Sequence, residues 1–468
     1  MKKPETLYMH SPEKAQYVHF IGIGGIGVSA IARLFIEQGK TISGSDVVES
    51  DVTRTFTDKE VQIFIGPHKA SNLPKNTQVV VFSPAVPETN PERIAARKRG
   101  IVEVSYPEMI GHIMMPMFGI TISGTHGKTT TTALLGHVLV KSKLDPTVIV
   151  GSFVKDFNGK NERLGKSKYI VVEGDEYKAS FLNYKPKMII LTTIDEDHLD
   201  YYRDINHIKA VFQEYLLRLP SDGIIIANAD DMHTTELLEN TQSMKVITYG
   251  SKADYYFTDV SFGKSSTSFV MHHEQAYERI EMSLLGRHNV YNAAAAFTCA
   301  KILGVKSEEI AKAIKSFKGV WRRFDVRGTK KGVTVIDDYA HHPTEIKALI
   351  SALRQSYEKR RILLVYQPHQ EDRFTKLYER FLSAFNGIDK LFLAEIYSVA
   401  GRKGKTDTSE RLVEPLQKQG IDVAFYPSFN PLKKDLLREA QKDDVIVFVG
   451  AGDITKLRQD FEEALQSR

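Results

Sequence analysis

The chain has one cysteine, Cys299, in 468 residues. A single cysteine excludes an intrachain disulfide, two-cysteine redox motifs and cysteine-rich zinc sites. No apolar run approaches the roughly 18 residues needed to cross a bilayer. The opening stretch MKKPETLYMHSPEKAQ lacks the apolar core of a signal peptide. A cytoplasmic protein with no membrane insertion is therefore expected. An excess of one charge is missing as well: 63 basic against 58 acidic residues leave a net charge of +5. That balance argues against nucleic acid as a partner and suits small anionic substrates. Internal repeats and low-complexity tracts are absent. What remains is an ordinary globular composition, 42% hydrophobic and 26% charged. Its length fits about three domains of roughly 100–200 residues each.

The order of elements points to an α/β fold. YVHFIGI (17–23) has strand length, ends in glycines and precedes Val28, Ile31, Leu34 and Phe35 at helical spacing. Strands at TISGSD and VVVFSP complete a βαβ opening, which predicts a parallel sheet. SYPEMIGHIMMP (105–116) reads as a connector. A second block alternates strands at 117–123, 169–174, 187–194, 223–228 and 245–250 with helices at 129–142, 205–218 and 290–304. Short alternating runs between 253 and 284 predict an antiparallel addition. A third block carries strands at 333–338, 362–366, 390–396 and 445–449. The expected domains are 1–107, Rossmann-like; 108–324, a central P-loop ATPase domain; and 325–468, again Rossmann-like. Trp321 suits hinge packing near the second boundary, and Cys299 in AAAAFTCAKIL suits a core helix face.

GITISGTHGKTTTT (119–132) carries the clearest chemistry. The usual phosphate loop, G-x-x-x-x-G-K-[ST], needs glycine where this chain has Ile122. The loop from Gly124 to Gly127 is two residues shorter. It still meets the demands of a phosphate cradle. Glycines let backbone N–H groups approach an anion, a helix starts there, Lys128 adds positive charge and the Thr129 hydroxyl can ligate magnesium. YIVVEGDE ends a strand in Glu173, Asp175 and Glu176. TTIDEDHLD ends another in Asp195, Glu196, Asp197, His198 and Asp200. Acidic ends of parallel strands beside such a loop would hold a metal on a nucleotide.

GIGGIG (22–27) fits G-x-G-x-x-G with Gly22, Gly24 and Gly27, and Asp46 lies 19 residues beyond Gly27. Alone, this would suit a nicotinamide-dependent oxidoreductase. A chain with both loops is expected to bind two phosphorylated molecules.

Seven stretches in order, HFIGIGGIGVSAIA, ISGTHGKTTTT, VVEGDE, DEDHLD, GRHNVYNAAAA, RRFD and DDYAHHPTE, resemble the Mur ligases of peptidoglycan synthesis. The resemblance spans nearly the whole chain. It implies three domains holding the sugar nucleotide, ATP and the amino acid in turn. It also implies ATP-dependent ligation of an amino acid, with L-alanine expected, to the lactyl carboxylate of UDP-N-acetylmuramate. The reaction would pass through an acyl phosphate, with ATP and Mg2+ as cofactors. ATP would lie on Gly124, Thr125, His126, Gly127, Lys128, Thr129, Thr130, Asn289, Asn292, Arg323 and Asp338. The metal would lie on Thr129, Glu173 and His198. Catalysis falls to Lys128, Glu173, His198 and Arg323. Gly22, Gly24, Gly25, Gly27, Asp46 and Ser83 would surround the UDP group, and Tyr339, His341, His369 and Arg373 the amino acid. The expected assembly is a monomer or homodimer.

The chain departs from the family pattern in places. Ala340 replaces a glycine, Thr193 an asparagine, and Gln370 an arginine, with Glu371 and Asp372 following. Ala340 occurs too in the related murein tripeptide ligase. Glutamine cannot form the charged two-bond pair that arginine makes with a carboxylate, which leaves the amino acid open.

Overall fold

The computed structural model describes residues 11–56, 61–241, 244–397 and 407–467. The first ten residues of the opening stretch lie outside them. Three sheets follow one another along the chain.

The first sheet contains β1 (Tyr17–Ile21), β2 (Thr41–Asp46), β3 (Gln62–Ile65), β4 (Val79–Phe82) and β5 (Val102–Ser105), ordered 3-2-1-4-5. All its pairings are parallel. Helix Ile26–Glu37 packs Val28, Ile31, Leu34 and Phe35 inward, at the positions the spacing predicts.

The second sheet is built from β6 (Phe118–Ser123), β7 (Thr147–Val154), β8 (Lys160–Arg163), β9 (Tyr169–Gly174), β10 (Met188–Leu191), β11 (Ile224–Asn228), β12 (Lys245–Gly250), β13 (Tyr255–Phe262), β14 (Thr267–His273) and β15 (Ala276–Met282). Its order is 15-14-13-12-11-10-6-9-7-8. β13, β14 and β15 pair antiparallel, which is the addition expected at 253–284. β6 lies between β9 and β10, parallel to both. The chain leaves β6 for one side of the sheet and later returns to the other. Such a switch point opens a crevice at the carboxyl ends of the strands. Ile120, Ile122, Val171, Ile190 and Ile226 are fully buried around it. Each contributes about 1.5–3 kcal/mol by leaving water.

The third sheet holds β16 (Asp325–Lys330), β17 (Val333–Asp338), β18 (Ile362–Tyr366), β19 (Lys390–Ala394), β20 (Val423–Tyr426) and β21 (Val445–Val449), ordered 16-17-21-18-19-20. Only the β16–β17 pairing is antiparallel. The α/β class and three-sheet plan thus match the sequence expectation.

One expectation fails. The stretch read as a connector is a helix, Tyr106–Met114. Ser105 caps it with a reciprocal capping box: the Glu108 N–H donates to Ser105 Oγ, and the Ser105 N–H donates to Glu108 Oε2 at 2.6 Å. Pro107 sits in the first turn, where its missing N–H costs nothing. Among the described residues no helix is long and apolar enough to cross a membrane.

Candidate active site

The loop after β6 turns through Gly124 (φ +137°) and Gly127 (φ +84°) into helix Lys128–Lys141. Neither glycine leaves room for a Cβ unless a neighbour shifts. A Cβ on Gly124 would fall 2.1 Å from Thr192 Oγ1, and one on Gly127 would fall 2.5 Å from Asn292 Oδ1. The short loop is therefore shaped by close neighbours as well as by its turn.

The two acidic strand ends flank it, because β9 and β10 are the neighbours of β6. Ile122 pairs with Glu173 in register. Glu173 Oε1 accepts the Thr129 hydroxyl at 2.7 Å, and Oε2 accepts the Gly151 N–H at 2.6 Å. Lys128 Nζ folds back. It donates to the carbonyls of Gly124 (2.6 Å) and Thr125 (3.0 Å) and to Glu176 Oε1 (3.0 Å). Burial works against this ammonium, but Glu176 outweighs it and holds the Lys128 pKa above the ordinary lysine value.

His198 lies apart from the Thr129–Glu173 pair and joins Asp175 and Glu176, with ligand atoms within 4.8 Å of one another. Among the described residues His198 Nδ1 is buried without a hydrogen-bond partner, while Glu176 Oε2 pairs with Lys128 Nζ at 2.9 Å. Oxygen donors from Thr129, Glu173 and Asp175, with the unsatisfied His198 Nδ1 grouped near Asp175, fit a hard divalent cation.

Two cavities meet at this loop. The larger, ≈ 350 Å³, is lined by His126, Thr130, Asn289, Asn292 and Asp338 among others. The smaller, ≈ 210 Å³, is lined by Thr125, Lys128, Thr129, Glu173 and His198 from the second sheet, and by Tyr339, His341, His369, Gln370 and Arg373 from the third. Gly127, Arg323 and Glu345 face both.

Asn289 and Asn292 open helix Arg287–Ile302 and bond to each other at 2.9 Å. Asp338 accepts the backbone N–H groups of Phe324 (2.6 Å) and Ala340 (2.7 Å), one on each oxygen. Burial pushes its pKa up to about 6, against the pull of Arg323. Trp321 packs on Phe153 (5.6 Å between ring centroids) where the chain passes toward the third sheet. Cys299 is fully buried.

The residues expected around the sugar nucleotide gather separately, at the end of the first sheet. Gly22 has φ +78° and lies against Ser83, and the Gly24 N–H donates to Asp46 Oδ2 at 2.8 Å. A Cβ on Gly27 would strike the Tyr106 ring at 2.5 Å. Gly25 begins the same helix. None of these six residues lines either cavity.

Three features were not foreseen. Arg322 is a buried clamp, with Nε on Asp337 at 3.1 Å. Arg373 is already engaged, since its Nε and Nη2 both reach Asp197 Oδ1, at 2.8 and 2.7 Å. Glu345 joins His126 (3.4 Å), Arg323 (3.8 Å) and the His341 N–H (3.1 Å). Its signal was present in HPTE, a helix-start pattern: Glu345 accepts the N–H of the capping residue His342. Burial drives His341 down to about 3 and His342 to about 4, so both are neutral imidazoles near pH 7.

Comparison with known proteins identifies the family. The models of the Mur ligase family catalytic domain, middle domain and glutamate ligase domain match residues 17–116, 122–300 and 322–452 in turn. The UDP-N-acetylmuramate–L-alanine ligase of Clostridium novyi is 37% identical over 96% of this chain and 97% of its own. That of Clostridium tetani is 40% identical over 94% and 96%. The crystal structure of the UDP-N-acetylmuramate–alanine ligase from Thermotoga maritima superposes with a TM-score of 0.82 at 27% identity, covering 97% of this chain and all of that one. With three family domains in order and near-complete relatives above a third identity, the chain belongs to the Mur ligase family.

Proposed function

We propose that the chain joins L-alanine to the lactyl carboxylate of UDP-N-acetylmuramate at the expense of ATP. The observation that carries this is the phosphate loop at the switch point, flanked by two acidic strand ends and faced across a small cavity by the third lobe. Residues 1–107, 108–324 and 325–468 then act as sugar-nucleotide, ATP and amino-acid lobes.

A carboxylate is a poor electrophile, and the γ-phosphate of ATP converts it to an acyl phosphate. The amine attacks that carbonyl, and phosphate leaves from the tetrahedral adduct. The chain's task is to align these groups and offset their charge. Lys128 serves the β- and γ-phosphates, leaving Glu176 to do so. Arg323 faces both cavities, which supports a role in offsetting charge between the γ-phosphate and the sugar carboxylate. Asn289 and Asn292 line the larger cavity for the base, with His126, Thr130 and Asp338. Thr129, Glu173 and His198 with its acidic neighbours would hold Mg2+, which neutralises phosphate charge when bound. Gly22, Gly24, Gly25, Gly27, Asp46 and Ser83 receive the UDP group. Tyr339, His341, His369 and Arg373 surround the amino acid. Arg373 acts there through its pairing with Asp197, and Gln370 faces the same cavity with a neutral amide. The relatives' names support L-alanine as the acceptor.

ADP release tests the proposal. Turnover that needs ATP, UDP-N-acetylmuramate and L-alanine together is expected. Turnover only with an L-Ala-D-Glu-diamino acid tripeptide would replace it with the tripeptide ligase reading. Turnover with neither acceptor would overturn both.

A further inference from the structure

Asp195 follows β10 and stands where the phosphate loop meets the third lobe. Its Oδ1 accepts Arg380 Nη1 and the Glu196 N–H, both at 2.8 Å. Its Oδ2 accepts Thr344 Oγ1 (2.7 Å), Arg380 Nη2 (2.9 Å) and His126 Nε2 (3.1 Å). The Asp195 N–H donates to Thr125 Oγ1 at 2.8 Å. One residue therefore grips two consecutive positions of the phosphate loop, Thr125 and His126. Its carboxylate is in turn gripped by Arg380 and Thr344 across the lobe boundary. Neither Asp195 nor Arg380 lines either cavity.

We propose that Asp195 is a positioning residue for ligation, forming with Arg380 an interlobe latch that sets the phosphate loop when the third lobe is docked. Two parallel N–H···O bonds fix direction as well as distance, which a lysine ammonium cannot reproduce. Thr344 completes the join, because its hydroxyl accepts from Arg380 at 2.9 Å while donating to Asp195. Arg373 on Asp197 is a second anchor across the same boundary. Loss of the latch should therefore loosen the docked lobe without releasing it. The kinetic consequence rests on the ligase reading; the mechanical one does not.

The test places paired labels at Met232→Cys and Lys418→Cys, positions 65% and 74% exposed, while Cys299 is buried and stays unlabelled. In ligand-free protein, Arg380→Met, Asp195→Asn and Thr344→Val should each broaden the interlabel distance distribution. Ligation kcat should fall about tenfold in the first two, with the KM for the sugar nucleotide unchanged. Arg380→Lys should restore only part of the loss. The Asp195→Asn, Arg380→Met double variant should be no slower than Asp195→Asn alone, because both changes cut one connection. Unchanged distances, or single losses that multiply in the double variant, would overturn the latch. Shifted distances in a protein that ligates nothing would instead remove the ligase reading and leave the latch standing.

Discussion

His126 is boxed in by Asp195, Glu345 and the ring of His342, whose centroid lies 4.8 Å away. Burial alone would depress its pKa, but Asp195 and Glu345 outweigh burial and raise it to about 9. Between pH 6.5 and 9 the folded protein thus keeps a proton that the unfolded chain has lost. Its contribution to stability is complete below about pH 6.5 and disappears as the pH climbs through 9. His341 and His342 act in the opposite sense. They stay neutral in the fold down to about 3 and 4 while the unfolded chain takes up protons, so stability falls as the pH drops below about 6.5. Thermal unfolding across pH should therefore peak near 6.5. His126→Gln should flatten the alkaline limb, which otherwise falls by about 1.4 kcal/mol per pH unit for one proton. An unaltered alkaline limb would refute the assignment. Lys128 calls for a different readout. Lys128→Ala should cut ATP-dependent turnover by on the order of 100-fold or more, with UDP-N-acetylmuramate binding retained, because the glycine loop of the first sheet is a separate site. Parallel loss of both would count against two sites.

At the scale of elements, the buried strands could be read directly: β9, β17, β18 and β21 span the residues that their sequence patterns predict. Edge strands could not. β3 and β8 are short and mixed in exposure, and their place depends on a neighbour found elsewhere in the chain. Helix Tyr106–Met114 was hidden for another reason. Pro107 and Gly111 look like breakers, yet the proline occupies the first turn and the glycine answers a tertiary demand. A Cβ on Gly111 would fall 2.2 Å from the carbonyl oxygen of Asn183, a backbone atom that cannot rotate away. Gly111→Ala should accordingly destabilise the protein by about 1–3 kcal/mol, as overpacking does, although alanine favours helix. Chemical denaturation measures this, and a neutral or stabilising result would place the helix elsewhere. The site divides in the same way. Its loop and acidic strand ends were legible because each is local. Arg380 was not, because it meets Asp195 across 185 residues of chain.

On the scale of the whole molecule two ion pairs, one at each lobe boundary, differ in kind, and the difference has a measurable consequence. Between the first and second lobes Arg33 is buried. Its Nε donates to Glu162 Oε2 at 2.9 Å, and another guanidinium nitrogen donates to Asn161. Asn161 in turn donates to the carbonyls of Ile26 (2.8 Å) and Val150 (3.2 Å), one in each lobe. Burial raises the Glu162 pKa in spite of Arg33, and Glu162 Oε1 has no hydrogen-bond partner among the described residues. Removing Arg33 would leave that carboxylate buried and uncompensated, which costs about 3–5 kcal/mol. Between the second and third lobes the Arg380 side chain is 35% exposed and Asp195 is 19% exposed. Water and salt screen such a pair, and its loss should cost no more than about 1 kcal/mol. Arg33 is then a fixed join, whereas Arg380 gives way at small cost and leaves the second boundary to the buried Arg373–Asp197 pair, which release of ADP and phosphate from an enclosed site must also part. Urea unfolding of Arg33→Met and Arg380→Met compares them directly. Arg33→Met should lose several kcal/mol at any salt concentration, whereas Arg380→Met should change stability little and move the third lobe more freely. Equal losses would mean that both ion pairs are structural and that Arg380 is no easily parted contact.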